Sequence, residues 1–409
     1  MSRPIASTEV KHKPASHVMI SVSGPDRAGI TARLTEILSE TGAELHDIEQ
    51  VVVRGHLSLG MLISIPDEGR GVLKEMLFAA KELGVSLDFT PVDGPSMPDE
   101  VRTDRYVVTV IGARLGATEL HTLAATLARH EGNIAKISRL SYGRLGSFEV
   151  QVDLPCHRDP TALKEALLRI GMHSEFDIAM QREGLFRRSK RLVVMDMDST
   201  LIPVEFIDEL AKVHGVAAEV SAVTERAMMG EMDYDESLRQ RLQLLKGLEV
   251  SVVEKLSAEL PLTDGAETLI RVLKRLGYRT AVISGGFSIA AEALKARLGI
   301  DYAYSNVLEV EAGKLTGRVV GPIVNGVRKA ELLQTVADAE GILLDQVIAV
   351  GDGANDIPML ERAGLGIAFH AKAKLRAAAD TSISTAGLDA ILYLLGISAR
   401  ELDEVMRLA

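Results

Sequence analysis

The chain has 409 residues, of which 47% are apolar and 25% charged, a composition typical of globular proteins with two or three domains. Its 46 basic and 57 acidic residues give a formal net charge of −11, which argues against a surface that follows a nucleic-acid backbone. Cys156 is the only cysteine, no apolar run reaches the ~18 residues that span a bilayer, and the N-terminus lacks a signal-peptide core, so we expect a cytoplasmic protein without disulfides or membrane contacts.

The front part of the chain contains a repeated order of predicted elements: strand, helix, strand, strand, helix, strand. In the first copy the apolar patterns predict strands at 18–23, 43–53, 57–65 and 85–90, and helices at 30–42 and 71–83. A linker rich in Pro, Gly and Asp follows at 91–104. The second copy predicts strands at 106–111, 134–142, 147–154 and 174–180, and helices at 118–130 and 161–170. This order builds an antiparallel sheet with both helices on one face.

The turn after the first strand, Gly24-Pro25-Asp26-Arg27-Ala28-Gly29-Ile30, allows two interpretations. Its glycines let a small ligand approach the amides at a helix N-terminus, where a carboxylate is favoured. Alternatively, a tight turn needs glycine for its dihedral angles.

Together with the order of elements, the PDRAGI segment resembles the ACT domain, a family of small regulatory modules that sense amino acids. The resemblance implies two ferredoxin-like α+β domains, at 17–92 and 104–181, and it implies that Asp26 and Gly29 contact an effector. The second copy departs from the motif, because Gly112-Ala113-Arg114-Leu115-Gly116 lacks the Pro-Asp pair. In the second copy the resemblance therefore implies the ACT fold and not an effector site.

From Arg191 onward, short apolar runs alternate with helical segments. Runs at 191–195, 280–283 and 346–350 suit parallel strands that are buried on both faces. We therefore expect an α/β domain with a Rossmann-like, doubly wound parallel sheet. Ligands of such sheets bind outside the carboxyl ends of the strands, and each of these runs ends in a polar motif. The sequence predicts that these motifs share one crevice.

The first of these motifs is Asp196-Met197-Asp198-Ser199-Thr200, in which two carboxylates stand close together. Ionisation of both costs electrostatic free energy, so we expect either a cation between them or a proton on one of them. Ser284-Gly285-Gly286 offers a hydroxyl followed by backbone amides that we expect to open a helix, an arrangement that could cradle a phosphate. Gly351-Asp352-Gly353-Ala354-Asn355-Asp356 follows the third run, and Lys329 opens a helix before it. Taken singly, each motif is also compatible with an ordinary turn, cap or surface group.

The charge balance of this set indicates its ligand. Asp196, Asp352 and Asp356 are anionic, whereas Lys329 supplies one fixed positive charge. A phosphate dianion would be repelled unless a divalent metal joined it, and carboxylate and carbonyl oxygens suit Mg²⁺ better than zinc. The sequence therefore predicts Mg²⁺-dependent phosphoryl transfer with an aspartate nucleophile.

The order of the DxDxT, Ser, Lys and GDGxND motifs resembles the haloacid dehalogenase superfamily of phosphotransferases, over a domain that we expect at 190–409. The resemblance implies that Asp196 attacks phosphorus and that Asp198 acts as general acid and then general base. It implies that Asp196, the Asp198 main-chain carbonyl and Asp352 hold Mg²⁺, while Asp356 orients the metal's waters. The groups implied to bind the phosphoryl oxygens are Ser284, the Gly285 amide, Lys329 and Asn355.

The segment between the first two motifs predicts a small helical cap at about 204–262, with helices at 204–214, 217–229, 235–245 and 250–260. DMDSTLIPVE and TERAMMGEMDYDESLRQRLQLLKG resemble the phosphoserine phosphatases within the superfamily. This resemblance implies that Glu205 binds the substrate ammonium and Arg241 its carboxylate. From the residues alone, Glu205 could equally favour a helix N-terminus, and Arg241 could lie on a solvated helix face.

The resemblance implies hydrolysis of O-phospho-L-serine, the last step of serine biosynthesis, by a homodimer whose ACT-like domains sense an amino acid, with L-serine as the expected effector. Two alternatives remain: a phosphatase for another small phosphomonoester or a phosphoprotein, and an amino-acid sensor whose phosphatase half has lost activity. The joint presence of Asp196, Asp198, Lys329 and Asp352 argues against the second alternative.

Overall fold

The computed structural model describes residues 16–65, 71–92, 102–142, 145–172 and 174–407. The chain forms two compact units that divide between residues 100 and 101. In the described part we find no helix that combines the length and the hydrophobicity needed to cross a bilayer.

The first unit has the βαββαβ order that the repeat predicts. Its elements are β1 (Ser16–Pro25), α1 (Ile30–Glu40), β2 (Glu44–Val53), β3 (His56–Ile65), α2 (Val72–Leu83) and β4 (Ser86–Val92). The strands form an antiparallel sheet in the order β2-β3-β1-β4. Apolar residues at strand and helix spacing meet in one buried cluster, in which Ile20, Leu34 and Met76 are fully buried. The ferredoxin-like α+β prediction is confirmed.

The second unit begins with another βαββαβ module and continues into the α/β part. The elements of the module are β5 (Thr103–Gly112), α3 (Ala117–Arg129), β6 (Asn133–Tyr142), β7 (Gly146–Pro155), α4 (Pro160–Met172) and β8 (Phe176–Arg182). Its strands lie in the order β6-β7-β5-β8, which matches the order in the first unit.

The α/β part consists of a sheet with helices on both faces and a helical insertion after the first strand. Its strands are β9 (Leu192–Met195), β10 (Arg279–Phe287), β11 (Tyr302–Glu311), β12 (Lys314–Val320), β13 (Val347–Gly351), β14 (Leu365–Phe369) and β15 (Thr381–Ile383). The insertion contributes α6 (Phe206–His214), α7 (Ala217–Met228), α8 (Tyr234–Leu244) and α9 (Val250–Ala258). The other helices are α5 (Leu185–Arg188), α10 (Ala266–Arg275), α11 (Ser288–Leu298), α12 (Gly326–Ala339), α13 (Ile357–Arg362), α14 (Ala373–Ala378), α15 (Ile391–Leu394) and α16 (Ala399–Arg407).

Strand β9 lies in the middle of this sheet, between β10 and β13, and it pairs with both in parallel. Its residues alternate between two cores: Val193 and Met195 join one buried cluster, and Leu192 and Val194 join the other. Because both faces of the strand are covered by helices, every residue of the run must be apolar. This confirms the prediction of a doubly wound parallel sheet and places the carboxyl ends of β9, β10 and β13 side by side.

The sheet of the second βαββαβ module continues into the α/β sheet, so that eleven strands form one sheet. The junction is the antiparallel pairing of β15 with β8, at Thr381 and Ala179. Asp177 on β8 reinforces it, because its carboxylate accepts hydrogen bonds from the backbone N–H groups of Ser384 and Thr385 at 2.9 and 3.0 Å. No local sequence pattern predicts this continuity.

Candidate active site

Asp196 directly follows β9, at the carboxyl edge of the sheet. Its backbone N–H donates to the carbonyl of Val350 at 2.9 Å, which holds the end of β9 against β13. The chain then turns sharply through Met197–Leu201, with Ser199 in the left-handed region at a φ of +56°. Asp198 Oδ1 accepts a hydrogen bond of 2.9 Å from the N–H of Phe206, the first residue of α6. The first acidic pair is therefore linked directly to the first helix of the insertion.

Lys329 lies in the first turns of α12 and is completely buried. Its Nζ lies 2.6 Å from Asp196 Oδ2 and 2.7 Å from Asp356 Oδ1, so the ammonium joins two of the three aspartates in the predicted acidic set. Burial alone would lower the pKa of Lys329, but the carboxylates of Asp196 and Asp356 outweigh it, and the pKa is raised. The lysine therefore stays charged and supplies a buried positive charge next to the site.

Asp356 organises the loop that follows β13. Its Oδ2 accepts hydrogen bonds from the N–H groups of Asp352 and Gly353 at 3.2 and 3.1 Å. A Cβ on Gly351 would stand 2.4 Å from the Asp356 carboxyl carbon, so this tight approach requires glycine. Asp352 in turn accepts a hydrogen bond of 3.2 Å from the Thr200 hydroxyl. The GDGAND motif is thus a turn built to orient carboxylates.

The carboxyl groups of the site resist ionisation together. Burial and the charge of Asp196 raise the pKa of Asp352 to about 8 and that of Asp356 to about 6. Burial, followed by the charges of Glu205 and Asp196, raises the pKa of Asp198. Carboxylate oxygens of Asp196, Asp352 and Asp356 all lie within 4.8 Å of one another. Without a cation, the cluster must keep protons.

The Ser-Gly-Gly motif differs in detail from the predicted helix opening, because β10 runs to Phe287 and α11 begins only at Ser288. The Ser284 hydroxyl accepts a hydrogen bond of 2.9 Å from the Gly286 N–H. The Gly285 carbonyl accepts 2.7 Å and 3.2 Å hydrogen bonds from the Asn306 amide and the Tyr234 hydroxyl. The motif is therefore a rigid strand end rather than the first turn of a helix.

One cavity of about 770 Å³ brings most of the predicted site residues together. Its lining includes the predicted residues Asp196, Asp198, Glu205, Arg241, Ser284, Gly285, Asp352 and Asn355. Lys329 and Asp356 are fully buried and support Asp196 and the GDGAND loop by the bonds described above. The predicted crevice is thus present, with α6, α7 and α8 of the insertion around it.

The two predicted cap residues have different surroundings. Glu205 precedes α6, and its carboxylate accepts a hydrogen bond of 2.8 Å from the Ser199 hydroxyl rather than from the helix N-terminus. Arg241 on α8 has a long 3.4 Å hydrogen bond from Nε to the Ser237 carbonyl, and it forms no ion pair within the described ranges. Both side chains are therefore available to a ligand in the cavity.

Sequence reasoning missed several residues that line or support the cavity. Tyr234 and Asn306 support the Gly285 carbonyl from distant elements, so no local signal identifies them. Lys372 and Lys374 line the cavity after β14. The apolar run of β14 (Leu365–Phe369) could have identified this further strand end.

The two predicted effector contacts lie in the first unit, in a cavity of about 220 Å³. Asp26 and Gly29 both line it, together with Thr31 and Gln50, which are joined by a 2.6 Å hydrogen bond. Gly29 directly precedes α1 and has a φ of +97°, which favours glycine.

Three family models match this chain. A haloacid dehalogenase-like hydrolase model matches residues 190–364, and two ACT domain models match residues 16–90 and 105–181.

The chain is also similar to curated proteins over almost its whole length. A phosphoserine phosphatase of Streptomyces coelicolor is 43% identical over 96% of this chain and 95% of its own length. A phosphoserine phosphatase of Mycobacterium tuberculosis is 41% identical over 94% of each chain. Among solved structures, a haloacid dehalogenase-family hydrolase from Salmonella enterica serovar Typhi has a TM-score of 0.64 at 31% identity, over 71% of this chain and 98% of its own.

The crowded carboxyl groups predict an unusual pH dependence of stability in chelator. The pKa of Asp352 rises from an ordinary value of 3.8 to about 8 on folding, so the folded state binds more protons than the unfolded state between these values. The free energy of unfolding should therefore fall as the pH rises from about 4 to 8. Asp352→Asn removes this charge and should stabilise the metal-free protein at pH 8, with about 5 kcal/mol as the upper bound that the pKa shift sets.

Urea denaturation in EDTA at several pH values measures this effect. Asp403→Asn, an exposed position on α16, serves as the matched control and should leave the profile unchanged. Parallel pH profiles for wild type and Asp352→Asn would contradict the assignment of Asp352 to the charge cluster.

Proposed function

The chain belongs to the phosphoserine phosphatases, a family of haloacid dehalogenase-like hydrolases with ACT domains, and we propose that it hydrolyses O-phospho-L-serine to L-serine and phosphate. The observation that carries this proposal is that carboxyl groups suited to phosphoryl transfer and a pair of oppositely charged side chains line the same cavity. Asp196, Asp198 and Asp352 supply the chemistry of phosphoryl transfer. Glu205 and Arg241 supply opposite charges that match the ammonium and carboxylate of an amino acid.

Mg²⁺ is the cofactor of this family, and the acidic cluster of this chain fits it. Asp196 and Asp352 line the cavity, whereas Asp356 is fully buried, and both of its oxygens accept hydrogen bonds from Lys329 and backbone N–H groups. We therefore assign the metal to the Asp196 and Asp352 carboxylates and the Asp198 main-chain carbonyl, with Asp356 orienting the surrounding waters. When bound, the ion neutralises the clustered carboxylates and the charge that develops on the phosphoryl oxygens.

In the first half-reaction, a carboxylate oxygen of Asp196 attacks phosphorus. A bond forms between this oxygen and phosphorus, which gives an aspartyl-phosphate, while the bond between phosphorus and the serine oxygen breaks. Asp198 donates its proton to that leaving oxygen, and the raised pKa of Asp198 supports a protonated starting state. In the second half-reaction, Asp198 takes a proton from water, the water oxygen attacks phosphorus, and the Asp196 carboxylate is released with inorganic phosphate.

Four further groups are proposed to hold the non-bridging phosphoryl oxygens: the Ser284 hydroxyl, the Gly285 amide, the Lys329 ammonium and the Asn355 amide. The hydrogen bonds around the first two groups support this role, because the Ser284 hydroxyl accepts from the Gly286 N–H and the Gly285 carbonyl accepts from the Asn306 amide. Donors that are oriented before the reaction stabilise transition-state charge without a reorganisation cost. Lys329 already lies 2.6 Å from the proposed nucleophile, so a phosphoryl group on Asp196 would be within its reach.

The amino-acid end of the substrate is assigned to the cap. Arg241 would bind the carboxylate with two parallel N–H donors, and Glu205 would accept from the ammonium. The alternative is a phosphatase for another small phosphomonoester or a phosphoprotein, which would not need this charge pair.

Asp196→Asn tests the covalent mechanism. Because an amide is a poor nucleophile, phosphate release should fall by about 10³-fold or more, whereas Asp403→Asn should retain activity. The measurement is phosphate release from a panel of phosphorylated small molecules, with Mg²⁺ and with chelator. Activity that persists in chelator or in Asp196→Asn would overturn the mechanism, and equal rates across the panel would overturn the phosphoserine assignment.

Arg241→Ala tests substrate recognition. The loss of a charge-assisted contact should lower kcat/KM for phosphoserine by about 10- to 100-fold, while an aryl phosphate without a carboxylate should be hydrolysed at a similar rate. Arg239→Ala is the matched control, since Arg239 lies on the same helix with an exposed side chain. An equal loss on both substrates would favour a general phosphomonoesterase.

We also propose that the first ACT domain binds an amino acid, with L-serine as the effector. The cavity beside Gly29 opens onto the N-terminus of α1, where the helix dipole favours a carboxylate. The second domain differs at this point: its loop lacks the Pro-Asp pair, and its Leu115 is buried against Gly112 and Gly146. This difference supports an effector site in the first domain.

Gly29→Ala and Gly29→Val test the effector site. Neither residue suits the left-handed backbone at this position, so both changes should distort the loop and relieve inhibition by L-serine, with unregulated turnover largely retained. Gly42→Val, with a φ of +68° and open space around its Cβ position, carries similar strain at the other end of α1 and should leave inhibition intact. Unchanged inhibition in both Gly29 variants would contradict the proposal.

We further propose a cytoplasmic location and a homodimer. The single cysteine supports a reducing compartment. Every residue of β2 is exposed, including Val51 and Val53, and in the described part this strand pairs only with β3. Such an edge favours pairing with a second copy. A monomeric mass in light scattering would contradict the dimer.

A further inference from the structure

A third cavity, of about 260 Å³, lies at the junction between the second βαββαβ module and the α/β part. Helix α4 and strand β8 form one side of it, and β15 and α14 form the other. Leu168, Met172, Ile178 and Ala377 give it a largely apolar lining. The cavity is large enough for a small organic molecule and lies outside the proposed active site and effector site.

One charged side chain in this cavity has no partner. Arg376 on α14 forms no hydrogen bond or ion pair within the residues that the structure describes, and its Nε atom is buried. The two acidic residues that line the cavity have partners of their own: Asp177 accepts hydrogen bonds from Ser384 and Thr385, and Glu165 lies 3.7 Å from Arg169, which also lines the cavity. Buried donors without an acceptor are rare in folded proteins, so Arg376 is poised to receive one from a ligand.

We propose that this cavity binds a small monocarboxylate with a compact apolar body, whose carboxylate contacts the Arg376 guanidinium. The guanidinium supplies the charge and the planar donors that a carboxylate requires. The apolar side chains accommodate the rest of the molecule, and the Ser382 and Ser384 hydroxyls add hydrogen-bonding capacity near the carboxylate.

The position of Arg376 connects this cavity to the active site. Helix α14, which carries Arg376, begins beside Lys372 and contains Lys374, and both lysines line the large cavity. The Lys372 N–H also donates to the Asp352 carbonyl at 3.4 Å. A ligand that draws Arg376 toward β8 therefore changes the support of Asp352, and it should alter turnover. This second step rests on the proposed phosphatase activity, whereas binding does not.

Fluorine NMR of 4-fluorobenzoate with the full-length protein tests binding. We expect saturable binding of the acid that is unaffected by phosphoserine. The uncharged 4-fluorobenzamide should bind at least about tenfold more weakly than the acid. Arg376→Gln should weaken binding of 4-fluorobenzoate about tenfold or more, and Arg376→Lys should weaken it less. Arg400→Gln, at an exposed position on α16, is the control and should leave binding unchanged. Equal binding of acid and amide, or full retention in Arg376→Gln, would overturn the proposal.

A crystallographic soak keeps the proposal testable if the variants fold poorly. Crystals of the wild-type protein soaked with 4-bromobenzoate should show anomalous bromine density between α4 and α14. Bromine density confined to the active site or to the Gly29 cavity would overturn the assignment of the junction cavity as a binding site.

The kinetic arm is separate. Benzoate should change kcat or KM for phosphoserine at least about twofold in wild type and not in Arg376→Gln. Unchanged kinetics with ligand bound would overturn the coupling through α14. Absence of any phosphatase activity would instead refute the proposed function and leave the binding result standing.

Discussion

The ion triplet of Asp196, Lys329 and Asp356 is the interaction on which the site depends. The lysine has no exposed surface and lies 2.6 and 2.7 Å from its two partners. Removing any one member of such a buried set leaves an uncompensated charge, which is strongly unfavourable. The triplet therefore joins three strand or helix ends that are distant in sequence, and it determines the orientation of the proposed nucleophile.

The same triplet leaves the site short of positive charge. The Lys329 ammonium contacts two members of a cluster of four carboxyl groups, and burial, together with the charge of Asp196, raises the pKa of Asp352 to about 8 and that of Asp356 to about 6. This excess negative charge is useful in an Mg²⁺-dependent enzyme, because it favours a divalent ion over monovalent ions. It also favours a proton on Asp198, which is the state that the first chemical step requires.

The α/β sheet is not an isolated catalytic domain. Its last strand pairs with a strand of the preceding βαββαβ module, and Asp177 ties the loop after β15 to that module. Elements of the regulatory fold therefore contact the part of the catalytic domain that carries Lys372 and Arg376. In α/β proteins an added edge strand extends the sheet at small cost, because the hydrogen-bonding groups of the edge already face outward.

The amino-acid sequence by itself determined the elements and their order. Apolar periodicity located strands such as β9 and helices such as α1 within a few residues, because burial of one face is a local pattern. The motifs at the strand ends identified the residues that meet in the cavity, since parallel strands bring their carboxyl ends to one edge. The resemblance to known families added the roles proposed for Glu205 and Arg241, which periodicity alone left open.

Only the tertiary structure decided which of these groups touch. The burial of Lys329 between two aspartates, the support of Gly285 by Asn306 and the exposure of Arg376 to a junction cavity all join residues far apart in the chain. No short window of sequence contains both partners of such contacts. The continuous sheet through β8 and β15 depends on the same kind of long-range pairing, because backbone hydrogen bonds between strands carry no signature in side-chain sequence.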